Sequence, residues 1–194
     1  MAAVPPLKVA CILERYYNLS LESTLQEFGF EDEDVSFIKP VGQTDAVADT
    51  LTGAEYEWAA QHVCVWRTCE AGQSPMLVFQ EDVRFSPVCS DVLAATKALV
   101  AAAEETGATR LLFLGAAVPD VPPQFADLGS SGCTAVPARG VSQTTAYVIW
   151  PTVARQLLEL LPLSVPVTAF MSKLVEEHRV SAMMASPALI QPIN

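Results

Sequence analysis

An α/β sandwich built on a mainly parallel sheet is the fold class this sequence predicts, and three observations carry the prediction. Short, nearly continuous apolar runs recur at Leu7–Leu13, Val35–Ile38, Met76–Phe79 and Arg110–Leu114, with a β-rich run at Thr144–Trp150, as expected of strands covered on both faces. Between several of them lie longer segments with helical spacing of apolar residues. Those segments start at capping residues and stop at glycine or proline, so strands and helices alternate along the chain. The 194 residues suffice for one core and are few for two, and 51% hydrophobic against 17% charged residues is a composition that folds. One domain over 1–194 is expected, without an internal repeat or an interdomain linker.

Taken in order, the run from Leu7 to Leu13 is the first strand, and Ser20 caps a helix carrying Leu21, Leu25 and Phe28 that Gly29 stops. The acidic run Glu31–Asp34 reads as a solvated turn before the Val35–Ile38 strand, which Pro40 and Gly42 end. Thr52 and Glu55 have the spacing of a capping box, so a helix is predicted from there to Ala71 with Gly72 as its stop. Ala54, Trp58, His62, Val65, Trp66 and Cys69 fall on one side of it. The strand Met76–Phe79 runs into Gln80, Glu81 and Asp82. An alanine-rich helix then spans about Asp91 to Thr106 and ends at Gly107.

After the strand Arg110–Leu114, the prolines and glycines between Pro119 and Gly140 predict a long loop without regular structure over 116–143. Thr144 to Trp150 is rich in β-formers. Pro151 suits the first turn of a helix carrying Val153, Leu157 and Leu160, which stops before Pro162. A last helix starts near Val167, and the tail after Pro187 is expected to add an edge strand.

Charge and cysteine usage narrow the function classes. A net charge of −11, from 22 acids against 11 bases, argues against a nucleic-acid partner, whose phosphates need a basic patch. The five cysteines, Cys11, Cys64, Cys69, Cys89 and Cys133, form no CxxC pair, so reduced thiols are expected rather than a disulfide framework or a zinc site. No apolar run reaches the roughly 20 residues of a membrane helix, and the first residues lack a basic stretch before an apolar one. A cytoplasmic location is the expectation. No G-x-S-x-G elbow, Walker loop or G-x-G-x-x-G fingerprint is present.

The remaining chemistry gathers at Glu81 and Asp82, because ligands of open α/β sheets sit at the carboxyl ends of the strands. A pair of acids there is either an ordinary polar strand end or a place for a divalent ion. His62, beside Trp58 and Trp66, is either a hydrogen-bonded core histidine or a group that orients a site. Arg15 has the geometry to reach phosphates or to pair with Glu14 or Glu22, and Thr145 and Tyr147 either line a pocket or pack in a strand.

In their order along the chain, these segments resemble glycosyltransferase family 25, which includes bacterial lipooligosaccharide and collagen galactosyltransferases. The family strand V-F-E-D-D-L-R-F is similar to Val78-Phe79-Gln80-Glu81-Asp82-Val83-Arg84-Phe85. The family helix E-x-G-C-x-x-S-H-x-x-x-W keeps Glu55, His62 and Trp66 in register. Arg110–Gly115 is similar to D-L-I-Y-V-G, Thr144–Trp150 to T-x-A-Y-V-I-S, and Pro166–Met171 to P-V-D-x-F-L, while Cys11–Arg15 echoes I-N-L-x-R.

The resemblance implies a GT-A-like, Rossmann-like αβα sandwich that takes a UDP-sugar donor and a glycan or protein acceptor. It also implies manganese or magnesium held by Asp82 and Glu81, with Arg15, His62, Gln80, Thr145 and Tyr147 toward the donor. Such an ion would bridge the diphosphate and stabilise the leaving nucleoside diphosphate. The chain departs from the pattern at Gln80 and Thr168, each standing where the family has an acid, and at Glu57 and Trp58 in the helix motif. Two functions are compatible with these residues: a divergent glycosyltransferase moving a sugar such as galactose, or a catalytically inactive domain kept as a binding or scaffold module.

Overall fold

A computed structural model describes residues 6–13, 25–30, 35–39, 42, 44–86, 89, 91–107, 111–115, 117–119 and 133–193. The strands are β1 (Lys8–Ile12), β2 (Val35–Ile38), β3 (Met76–Gln80), β4 (Val83–Phe85), β5 (Leu111–Phe113), β6 (Ala117–Pro119), β7 (Thr134–Val141), β8 (Ala146–Ile149), β9 (Ala182–Ser186) and β10 (Ile190–Pro192). The helices are α1 (Ala54–Gly72), α2 (Val92–Thr106), α3 (Pro151–Leu158) and α4 (Val167–Glu176). Arg15, Ser20, the run Glu31–Asp34 and Pro40 lie outside the described residues.

Eight strands form one sheet in the order β2-β1-β3-β8-β5-β9-β7-β6, and β4 pairs with β10 in a small antiparallel sheet. Within the large sheet β8 and β7 run against the other six strands, so it is mainly parallel, as the alternation of elements predicts. Its strands alternate between two buried faces. Met76 and Val78 of β3 join a core with α1, α3 and α4, whereas Leu77 and Phe79 join a second core with α2. Burial on both faces explains why these strands read as unbroken apolar runs rather than as alternating ones.

Local signals hold where backbone chemistry decides alone. Asp91 caps α2 by accepting from the Ala94 amide at 2.7 Å, and Gly107 ends it in the left-handed conformation at φ 64°. Pro151 opens α3 in its first turn, and α4 begins at Val167. The segment around Leu25 is helical over 25–27 and turns at Gly29 with φ 88°.

Several expectations are corrected. The capping box of Thr52 and Glu55 does not form: Gly53 occupies the N-cap without a side-chain bond, and the helix passes through Gly72 to a left-handed Gln73. Trp58 is 36% exposed, so the buried stripe of α1 runs instead through Ala59, Gln61, His62, Val65, Trp66 and Cys69. The supposed loop contains β6 and the eight-residue β7, in which Pro137 and Gly140 are tolerated because the strand pairs over Thr134–Pro137 with β9 and beyond that with short β6. Finally, β9 is an unanticipated strand inserted between β5 and β7.

Gly115 follows β5 where the start of β10 meets it. A Cβ there would lie 2.6 Å from the Ile190 carbonyl oxygen, and Leu114 oxygen accepts from the amides of Leu189 at 2.8 Å and Ile190 at 3.1 Å. Backbone meets backbone, so no side chain can swing away. Gly115→Ala is expected to destabilise by about 1–3 kcal/mol, measured by urea unfolding. Faster amide exchange at Leu189 and Ile190 is expected with it, and unchanged stability would show that the strands part without cost.

Candidate functional site

The chain moves from β1 outward to β2 and then returns to place β3 on the other side of β1, which makes the β1–β3 junction a topological switch point. Crevices at the carboxyl ends of strands form at such reversals. Leu13 follows β1 there and Glu81 follows β3. The Glu81 amide donates to the Ile12 carbonyl at 3.0 Å, so β1 and β3 stay zipped up to the acids. The reversal of β8 brings its leading residues to the same edge: the Gln80 amide donates to the Thr145 carbonyl and the Leu114 amide to the Ala146 carbonyl, both at 3.0 Å.

At this edge Glu81 is half-buried and Asp82 exposed, while Gln80 is buried. The charge of Glu81 reaches the Cys11 thiol at the end of β1, whose pKa is raised well above its ordinary value by burial first and by Glu81 second. A cluster of four phenylalanines anchors β4, which lies just past the acids: the Phe79 and Phe85 rings meet at 5.9 Å, Phe30 lies 5.8 and 5.7 Å from them, and Phe28 packs on Phe85 at 4.7 Å. Burial of Val83 and Phe85 turns Arg84 outward on β4.

Thr168, in the first turn of α4, shares a hydrogen bond of 3.0 Å with Thr144, the residue before Thr145. Thr168, Thr144, Thr145, Gln80, Glu81 and Asp82 thus succeed one another along the carboxyl edge. Arg15 lies outside the described residues.

The edge does not include the side chains of His62 and Tyr147. Both are enclosed, at 1% and 0% exposure, in the core between α1 and the sheet. His62 Nδ1 lies 2.7 Å from the Tyr147 hydroxyl, which also accepts from Trp66 Nε1 at 3.1 Å. Groups so enclosed cannot touch a ligand that arrives from solvent, so any influence on the edge passes through β8 and α1. Burial lowers the His62 pKa to about 3, keeping it neutral, and raises that of Tyr147 above its ordinary value.

Gln61, which sequence reasoning passed over, is 1% exposed and donates from Nε2 to the Leu13 carbonyl at 2.7 Å and the Ile38 carbonyl at 3.2 Å. It therefore fastens the ends of β1 and β2 beside the switch point. The available signal was a long polar residue next to His62 on the helix stripe, but its partners lie far away in the chain.

On β4 and β10, which follow the acidic turn, is a cleft of about 300 Å³. Arg84, Ser142, Gln143 and Gln191 give it polar groups, and Gly115, Ala188 and Pro192 complete the wall. Arg84 donates to Gln191 Oε1 at 3.2 Å, and the Asp82 carbonyl accepts from the Ile193 amide at 2.9 Å, which ties the cleft wall to the acidic turn.

Among the described residues no three His, Cys, Asp or Glu side chains gather as a metal cage. Two adjacent carboxylates suit an ion that arrives with substrate phosphates, since magnesium-like ions use one or two carboxylates and complete their shell from phosphate and water. None of the five cysteines is in a disulfide, and the buried Cys69 thiol is pushed up to about 12, so it is inert as a nucleophile. No helix among the described residues is long and apolar enough to cross a membrane.

Fold and edge together define a Rossmann-like α/β protein with an acidic strand end at its switch point. No protein-family model and no curated protein matches the chain. Among solved structures, one described as a glucose-1-phosphate thymidylyltransferase from Bacillus anthracis, in complex with a sucrose, is similar at 14% identity with a TM-score of 0.41. The match covers 90% of this chain and 66% of that one, so this chain spans just under two thirds of that protein's length.

Proposed function

We propose that the chain is a divergent glycosyltransferase of the family 25 type, which moves a sugar from a UDP-sugar to an acceptor hydroxyl with manganese or magnesium. The observation that carries this reading is the exposed Asp82 carboxylate beside half-buried Glu81 at the β1–β3 switch point. Asp82, with Glu81, would hold the ion together with the donor diphosphate. Such an ion would supply positive charge against the diphosphate of the leaving group. The zipped backbone of Ile12, Gln80 and Glu81 holds the acids in place, and Gln61 steadies the neighbouring strand ends.

A second reading, a catalytically inactive binding or scaffold module, is favoured by the pair of Thr144 and Thr168. Their hydroxyls bond to each other where the family pattern has an acid, and neither takes up a proton near neutral pH. Gln80 is likewise a neutral amide.

Calorimetry with UDP-galactose, with and without manganese, separates the readings. Under the first, manganese strengthens donor binding and Asp82→Ala removes the gain, whereas manganese alone binds the protein weakly. No heat with UDP-galactose or other UDP-sugars would overturn it. Donor hydrolysis appearing only in the double variant Gln80→Glu/Thr168→Asp would favour the inactive module.

A further inference from the structure

We propose that the cleft formed by β4, β10 and the turn before β8 is a subsite for a carboxylate-bearing sugar unit. Its role as the acceptor side of the reaction, though not its capacity to bind, rests on the glycosyl-transfer reading above. Arg84 is the cation of this cleft, and no acid is among its lining residues, in a chain with 22 acids and 11 bases. The guanidinium's one hydrogen bond among the described residues, to Gln191 Oε1, holds the fork without neutralising it. A guanidinium has five N–H donors in a planar fork that fits a carboxylate, so donors remain for a ligand.

The lining also includes Ser142 with its hydroxyl and Gln143 with its amide, both exposed. Each can donate and accept, which is the chemistry that reads sugar hydroxyls. Ala188 and Pro192 supply an apolar stretch for the C–H face of a ring. At about 300 Å³ the cleft stands at the low end of small-molecule sites and takes a single sugar unit rather than a whole UDP-sugar.

Two features favour a carboxylate over a phosphate. Phosphates are commonly met by backbone amides at a helix N-terminus, and this cleft is lined by strands and turns. The net charge of −11 also opposes a multiply charged anion more than a singly charged one. Gln191 and Pro192 pair with Arg84 and Val83, the residues that follow Asp82, so a sugar bound here would lie toward the edge proposed for the donor.

The test is a ¹H–¹⁵N NMR titration of the whole chain with glucuronate, glucose and inorganic phosphate as probes. Glucuronate should move the amides of Gly115, Ser142, Gln143 and Gln191, and glucose should move the same set more weakly. Arg84→Gln should weaken glucuronate about fivefold without changing glucose, whereas Gln143→Ala should weaken both. Shifts absent from the cleft, equal shifts with phosphate, or an Arg84→Gln variant that binds glucuronate unchanged would each overturn the subsite.

Calorimetry with UDP-galactose and manganese on the same samples keeps the two ideas apart. Donor heat persisting while glucuronate leaves the cleft untouched overturns the subsite alone. Cleft shifts in a protein without donor heat uphold sugar binding and overturn the acceptor role.

Discussion

Replacing Tyr147 by phenylalanine is expected to cost about 2–6 kcal/mol of folding stability, although it removes a single oxygen atom. The hydroxyl serves two buried partners, His62 Nδ1 at 2.7 Å and Trp66 Nε1 at 3.1 Å. The Trp66 N–H can only donate, so the Tyr147 oxygen accepts from it and its own proton goes to His62 Nδ1. His62 then carries its proton on Nε2, which has no partner among the described residues. The opposite tautomer would leave the Tyr147 O–H and the Nε2 lone pair both unsatisfied, so the first assignment is favoured.

In Tyr147→Phe the Trp66 donor and the His62 acceptor are stranded in a core that excludes water, and each costs about 1–3 kcal/mol. Denaturant unfolding with an unchanged m-value measures the loss. Adding Trp66→Phe should return part of it, because the stranded donor is removed along with its partner. A Tyr147→Phe protein within about 0.5 kcal/mol of the parent would show that the hydroxyl holds nothing together.

The second large effect is a loss of stability in mild acid caused by His62. Folding lowers its pKa from 6.5 to about 3, chiefly because burial penalises the charged ring. Tyr147 and Trp66, which it touches, carry no charge in that range. Between these two values the unfolded chain binds a proton that the folded protein refuses, so acid favours unfolding. The contribution is fully present above about pH 6.5, falls by up to about 1.4 kcal/mol per pH unit towards pH 3, and is flat below that. Unfolding followed from pH 7 to 4 in the parent and in His62→Phe measures it, since the variant lacks this group and its slope should be shallower. Equal slopes would mean that the folded histidine takes up its proton as readily as the unfolded one.

Both effects arise at residues that the family pattern marks, and the structure gives those residues different kinds of work. His62, Trp66 and Tyr147 make one buried network, whereas Gln80, Glu81 and Asp82 stand at the sheet edge with Thr144, Thr145 and Thr168. The helix motif and the strand motif therefore meet inside the protein, where they fix α1 against β8. On the proposed reading, donor binding would draw on the edge and not on this network. Failure of donor binding with the Tyr147 network intact would separate fold from activity.

By itself the sequence determined the layers, because burial on both faces demands unbroken apolar runs such as Met76–Phe79 and helices need starts and stops such as Asp91, Gly107 and Pro151. It also placed Glu81 and Asp82 at a strand end, since a run of acids cannot continue a strand buried on both sides. Only the tertiary structure decided the rotation of α1, which exposes Trp58 and buries Gln61, because the partners of Gln61 are carbonyls of Leu13 and Ile38. The same holds for β7 and β9, whose proline- and alanine-rich segments become strands only through pairing with each other. The edge of Thr168, Thr144 and Gln80 likewise exists because β8 runs backwards between β3 and β5. Local chemistry is written in neighbouring residues, whereas register, strand order and helix rotation are settled by contacts between residues that the chain keeps far apart.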